Sequence, residues 1–233
     1  MTAAFLSRVG LRADVPAAAL APILLPGEPG ARTGSAHRLV WSLFAGEDER
    51  RFLWREQGAG GLVPGRTRFL VLSAVRPADP HGLFDLESKP FAPELAQGDL
   101  LGFSLRANPV VARSREGRRN SAHCDVVMDA LKDVAAGGRA EARRAVIGSA
   151  GRSWLEKQGE RHGFALDDRS PLRIDGYDRL RIPRRSGKAM TISTLDFDGA
   201  LRVSDPERFV GSLCAGFGKA RGFGCGLMLI RRI

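Results

Sequence analysis

The chain has 233 residues, 43% of them hydrophobic and 27% charged, with 36 Lys and Arg against 26 Asp and Glu for a formal net charge of +10. That much apolar material builds one large core or two smaller ones and excludes a chain disordered throughout. No stretch approaches the ~20 apolar residues that cross a bilayer, because the longest, residues 15–26, is broken by Pro16, Pro22 and Pro26.

Alternation at Phe5, Arg8, Val9 and Leu11 predicts an opening strand. Ser35 reads as the cap of a helix whose apolar positions Leu39, Val40, Leu43 and Phe44 recur at helical spacing, and residues 68–75 (RFLVLSAV) read as the next strand, a βαβ-type unit. Residues 89–98, with Pro90 and Pro93, follow neither period and read as a linker. Beyond it we expect a strand at 100–105, a helix around 140–158, an extended segment near 164–174, and strands at 190–195 and 200–203 joined by an Asp198-Gly199 turn. Asp205 and Pro206 open a helix through Phe209, Val210 and Leu213 that Gly216 ends, and a strand at 226–230 closes the chain. The order β, α, β, β, α, β in the second half is that of a ferredoxin-like fold, and the first half shows parts of the same pattern. The expected organisation is a domain over 1–98 and a second over 99–233.

Charge divides at the same place: residues 1–98 carry a net +1, and residues 99–233 carry +9. Arg outnumbers Lys 31 to five, which reflects either a compositional bias or phosphate recognition by planar guanidinium groups. Compositional bias alone would not segregate charge. Arg113, Arg115, Arg118 and Arg119 fall within seven residues beside one acid, Glu116. A second cluster holds Arg169, Arg173, Arg179, Arg181, Arg184, Arg185 and Lys188. These loops point to a polyanion, since every phosphate neutralised releases counterions.

Residues 216–226, GFGKARGFGCG, hold the densest run of glycine in the chain. They match neither a Walker loop nor a dinucleotide fingerprint. The run is either a phosphate-approaching loop assisted by Lys219 and Arg221 or a plain connection from helix to strand. Among the four histidines His37 is singled out, because it falls in the first turn of the expected helix on the flank it shares with Trp41, as a catalytic group or as a surface residue. Asp196 and Asp198 flank the expected hairpin turn, where such residues usually serve the backbone. Cys124, Cys214 and Cys225 form no CxxC pair, so neither a disulfide framework nor a zinc site is indicated. No metal and no organic cofactor are assigned, and a cytoplasmic location is expected.

LRANP (105–109), SGK (186–188), FDG (197–199), DPER (205–208) and the ending GFGKARGFGCGLMLI (216–230) resemble the repeat-processing endoribonuclease of type I-E CRISPR systems, the CasE family, and HRLVWSLF (37–44) resembles that family's N-terminal helix. The resemblance implies an α+β fold of tandem ferredoxin-like (RRM-like) domains with antiparallel sheets, and a CRISPR repeat RNA hairpin as substrate. It also implies a metal-independent cut leaving a 2′,3′-cyclic phosphate and a 5′-hydroxyl, with the enzyme remaining on its product beside other Cascade subunits. His37 falls where the family's catalytic histidine sits. Arg181, Arg184, Arg185 and Lys188 match its basic hairpin, and Arg115, Arg118 and Arg119 a second basic loop. Some members carry a tyrosine three residues before the histidine, where this chain has Gly34. That departure leaves the base for the 2′-OH unassigned, with Ser35 and Lys188 as candidates, and sustains a second reading, a non-catalytic RNA-binding subunit of a ribonucleoprotein.

Overall fold

The computed structural model describes residues 4–14, 28–58, 67–114, 122–183 and 187–233. Period-two alternation builds the first sheet. In β1 (Ala4–Leu11), Val9 and Leu11 enter one core while Ala4 and Leu6 face another. In β2 (Phe52–Gln57), Phe52 and Trp54 oppose Leu53 in the same way, and in β3 (Arg68–Ser73), Phe69 and Val71 oppose Leu70 and Leu72. With β4 (Phe84–Phe91) the order is β2-β3-β1-β4, every neighbour antiparallel. Residues 89–91 therefore belong to β4, paired with residues 4–6, and not to a linker. Pro90 is accommodated because β4 is an edge strand, whose outer N–H groups need no partner.

Helix α1 (Pro29–Trp41) covers one face of this sheet through Ala36, Leu39 and Val40, and a following 3₁₀ turn (Ser42–Phe44) adds Leu43 and Phe44. The helix begins two turns earlier than the sequence suggests. Glu28 is the cap, its carboxylate accepting from the Ala31 amide at 2.7 Å, and Pro29 occupies the first turn, where its missing N–H costs nothing. Ser35 is instead buried mid-helix, its Oγ accepting from Arg38 Nη2 at 2.9 Å. His37 thus lies in the last half of the helix, outside the first-turn field expected for it.

The second sheet contains β5 (Leu100–Ala107), β8 (Phe164–Leu166), β10 (Met190–Val203) and β11 (Met228–Arg232) in the order β11-β5-β10-β8, with β9 (Arg173–Ile182) also pairing β10. Its helices are α3 (Arg139–His162) and α4 (Pro206–Ala215). Counted from its own first strand, each sheet has the ferredoxin-like neighbour order, one read from the opposite edge of the other. The first sheet lacks only the second helix, residues 74–83 forming none. A small ribbon of β6 (Val110–Arg113) and β7 (Ala122–Asp125), with the short α2 (Val126–Ala130), is inserted after β5.

The Asp198-Gly199 turn does not form: β10 runs unbroken through it, with Asp198 opposite Ser104 and Gly199 opposite Phe103. A two-residue turn of that type requires positive φ at both positions, and Gly199 is not among the positive-φ glycines. Pairing on both sides of β10 overrides the local preference. The helix opened by Asp205 and Pro206 and ended by Gly216 forms as expected. The two halves are joined by a separate apolar cluster in which Leu227, supported by Leu229 of β11, packs on Ala4, Leu53 and Leu72. Each such fully buried aliphatic side chain contributes about 1.5–3 kcal/mol.

Candidate functional site

His37 stands on the flank of α1, its ring 5.7 Å from that of Trp41 and 5.4 Å from that of Phe223 in the glycine-rich loop. A Cβ on Gly222 would lie 3.5 Å from His37 Cε1 and 3.8 Å from Nδ1, so the bare backbone of this loop covers one edge of the imidazole. Nδ1 is sealed from solvent with no partner in hydrogen-bond geometry. The residue as a whole is only half-buried, and Nε2 does not share the sealed, unpartnered state of Nδ1. Burial pushes the imidazole below its ordinary value, against the pull of the nearby Gly222 carbonyl, and the cations of Arg50 and Arg38 lower it further.

The loop is held tightly. Phe217 N donates to Gly226 O at 3.0 Å, Gly226 N to Arg106 O at 2.7 Å, and Lys219 N to Asn108 O at 3.3 Å. Asn108, of the LRANP segment, donates in turn from Nδ2 to Ser193 O at 2.6 Å. Arg221 turns back into the loop, giving Nε to Gly218 O at 3.1 Å and Nη1 to Ala215 O at 2.8 Å. Gly226 has φ +90°, and a Cβ there would stand 2.8 Å from Phe217 O, so this crossing admits only glycine. The run is a folded cap on the histidine, with several of its amides committed internally.

Of the residues singled out from sequence, His37 and the loop come together beside Arg50, whose guanidinium is lowered by burial first and by Arg221 second. Arg181 and Lys188 are exposed at the end of the β9–β10 hairpin, where the Arg181 carbonyl rests against Gly30 of α1. Arg115, Arg118, Arg119, Arg184 and Arg185 lie outside the described residues. Ser35 is turned into the protein. Tyr177 donates to Asp125 Oδ2 at 2.9 Å, and burial pushes its phenol up, so the single tyrosine serves the cap of α2. Asp196 faces Arg106 at 3.7 Å within the sheet, and no cluster of three or more metal-ligating side chains exists among the described residues.

Sequence reasoning passed over Arg50, whose half-buried guanidinium donates to the Phe52 carbonyl beside His37. It also passed over Trp54, whose Nε1 donates to Gly222 O at 2.9 Å from the opposite half of the chain. Neither has a local signature in the sequence.

A family model for CRISPR-associated proteins matches residues 4–232. The chain belongs to that family. It is 30% identical over 196 residues to the CRISPR-associated endoribonuclease Cse3 of Thermus thermophilus, covering 79% of this chain and 81% of that one. A structure of CRISPR endoribonuclease Cse3 bound to a 19-nucleotide RNA superposes with a TM-score of 0.70 at 26% identity over 98% of this chain and 99% of that one. Thermus thermophilus Cse3 bound to an RNA representing a pre-cleavage complex gives a TM-score of 0.68 at 26% identity over the same shares. Cas6e from Escherichia coli K-12, at 20% identity over 98% and 100%, shares the fold with a TM-score of 0.63. The chain thus has the α+β fold of tandem ferredoxin-like domains shared by these CRISPR-associated proteins.

Trp54 is 2% exposed, so replacing it with Phe removes a buried donor and breaks its bond to the Gly222 carbonyl. The expected loss is about 0.5–1.5 kcal/mol, read as a lowered denaturant midpoint. An unchanged midpoint would mean that the bond contributes nothing to holding the cap.

Proposed function

We propose that the chain is a metal-independent endoribonuclease that cuts the CRISPR repeat hairpin in precursor RNA and stays on the mature guide RNA as a Cascade subunit, acting in the cytoplasm where that RNA is made. The observation carrying this reading is the imidazole of His37, sealed and unpartnered at Nδ1 but not at Nε2, flanked by Arg50 and capped by the glycine-rich loop. The likeness to RNA-bound Cse3 supplies the substrate class.

The reaction is an intramolecular transesterification. The 2′-hydroxyl gives up its proton to solvent as its oxygen attacks the adjacent phosphorus, the bond to the 5′-oxygen breaks, and His37 Nε2 hands its proton to that leaving oxygen. The products are a 2′,3′-cyclic phosphate and a 5′-hydroxyl. Arg50 places positive charge beside the phosphoryl oxygens. Proton donation contributes ~10² to 10⁴-fold, and in-line positioning supplies much of the remainder. An A-form stem hides its base edges in a deep groove, so selection rests on stem shape and on backbone contacts, for which Arg181, Arg184, Arg185, Lys188 and, on the second loop, Arg115, Arg118 and Arg119 are the proposed cations. Lys219 contributes charge beside the cap, and Arg221 acts chiefly by stapling it.

Incubating the protein with labelled repeat hairpin and a chelator is expected to give one cut with a cyclic phosphate end. Tight binding without cutting would favour the non-catalytic subunit, the reading to which Gly34 lends weight. Cutting abolished by the chelator would redirect attention to Asp196 and Asp198.

The lowered His37 value gives a signed expectation. In the free protein the ring is mostly neutral at pH 6.5, its ordinary midpoint, and an arriving phosphate raises its affinity for a proton. RNA binding at pH 6.5 should take up a proton, seen as a calorimetric enthalpy that varies with the ionisation enthalpy of the buffer, and His37→Asn should remove that dependence. Proton release on binding would contradict the electrostatic argument.

A further inference from the structure

The glycine-rich loop has a second side, away from His37. There Lys219 joins Lys157 and Arg161 of α3, together with Arg113 and His123 of the β6–β7 ribbon, around a groove of about 680 Å³. We propose that this groove binds single-stranded RNA flanking the cut, holding the strand beyond the reacting linkage through its phosphates. The inference rests on the nuclease reading and extends it from the hairpin to its flank.

Charge is the first argument. The carboxylate in the groove, Asp129, is already shared between Arg113 and Lys132, whereas Lys157, Arg161 and Lys219 form no ion pair among the described residues. Lys157 and Arg161 are four residues apart on one exposed helix face, a spacing at which like charges repel. An anion between them removes that repulsion. Size is the second argument, since the volume falls within the ~300–1,000 Å³ of sites that enclose small ligands and suits a few nucleotides of single strand, not a duplex.

Continuity is the third argument. Arg221 lines the groove and also shares a neighbouring cavity with Arg50, and Arg50 and His37 both lie within 4 Å of a Cβ built at Gly222. One cationic track therefore runs from the imidazole, across the loop, into the groove. A strand whose phosphate sits at Nε2 needs only to cross the Gly218–Phe223 stretch to reach Lys219. His123, exposed on β7, offers a ring to an unpaired base.

The test uses the full chain and RNA with a 2′-deoxy sugar at the cut, so that binding is read without cleavage. The hairpin alone is compared with the same hairpin carrying a single-stranded flank, 5′ and 3′ separately. Lys157→Glu with Arg161→Glu is expected to weaken the flanked RNA about tenfold and to make its log-affinity against log-salt slope shallower by about 1.4, while the bare hairpin is unaffected. The milder pair Lys157→Gln and Arg161→Gln should move the same way by less, which guards against a folding artefact. Equal losses for bare and flanked RNA would overturn the proposal, as would no loss for any RNA, which would leave the groove to an acidic protein surface. Wild-type protein that binds no repeat hairpin at all would instead remove the nuclease reading beneath it.

Discussion

His37→Ala is expected to lower cleavage of a repeat hairpin by ~10² to 10⁴-fold while binding persists, because in the proposed reaction this side chain serves as proton donor and not as an RNA anchor. Its position accounts for both halves of that expectation. Nδ1 is covered by the loop, the ring is lodged between Trp41 and Phe223, and Nε2 does not share the sealed state of Nδ1. A second measurement isolates the role. With a bridging sulfur in place of the 5′-oxygen the leaving group is a thiolate, which departs without a proton, so that substrate should be cut by His37→Ala nearly as fast as by the wild type. If the sulfur substrate is slowed as much as the natural one, His37 is not the acid. It would then act on the nucleophile or by positioning the strand. Arg50 supplies no proton at this step, since its guanidinium stays charged, and its replacement should lower the rate for both substrates alike.

What was legible in the sequence divides by range of interaction. The Asp205-Pro206 start and Gly216 end of α4 depend on contacts within a few residues, and they form as read. So do β1 and β3, whose alternation is imposed by a core on each face. The errors came where distant parts decide. Ser35 reads as the cap of α1 because serine is a good cap in isolation, yet Glu28 and Pro29 upstream start the helix, and the weak helix formers Gly30 and Gly34 are held by contact with β9. Asp198-Gly199 has local turn chemistry that pairing on both sides suppresses. The setting expected for His37 is not the one it has: its ring is covered by a loop 185 residues away in sequence and does not lie at the helix N-terminus. Trp54 and Arg50 carry no local mark, because their roles exist only once β2 meets the loop that follows α4.

Gly30→Ala is expected to damage both catalysis and hairpin binding. Gly30 is the second residue of α1, and a Cβ there would overlap the carbonyl of Arg181 at the end of β9. The obstruction is main chain on both sides, so no side-chain rotation relieves it. Either α1 lifts from the sheet or the β9–β10 hairpin bends away. The first moves His37, which lies seven residues, or about 10 Å, along the same helix; the second moves Arg181 and Lys188. A displacement of ~1 Å at a reacting group costs on the order of 10²-fold in rate, and overpacking costs about 1–3 kcal/mol of stability. Gly34→Ala is the matched comparison on the same helix. A Cβ at that position meets Arg38 and Ile182 side-chain atoms at 3.8 Å, an ordinary contact, and alanine is the better helix former by about 1 kcal/mol. The denaturant midpoint should therefore fall for Gly30→Ala and rise for Gly34→Ala. Hairpin affinity and cleavage rate should drop together in the first variant. If Gly30→Ala kept its midpoint and its rate, the seat of α1 on β9 would not be what aligns the histidine with the β9–β10 hairpin.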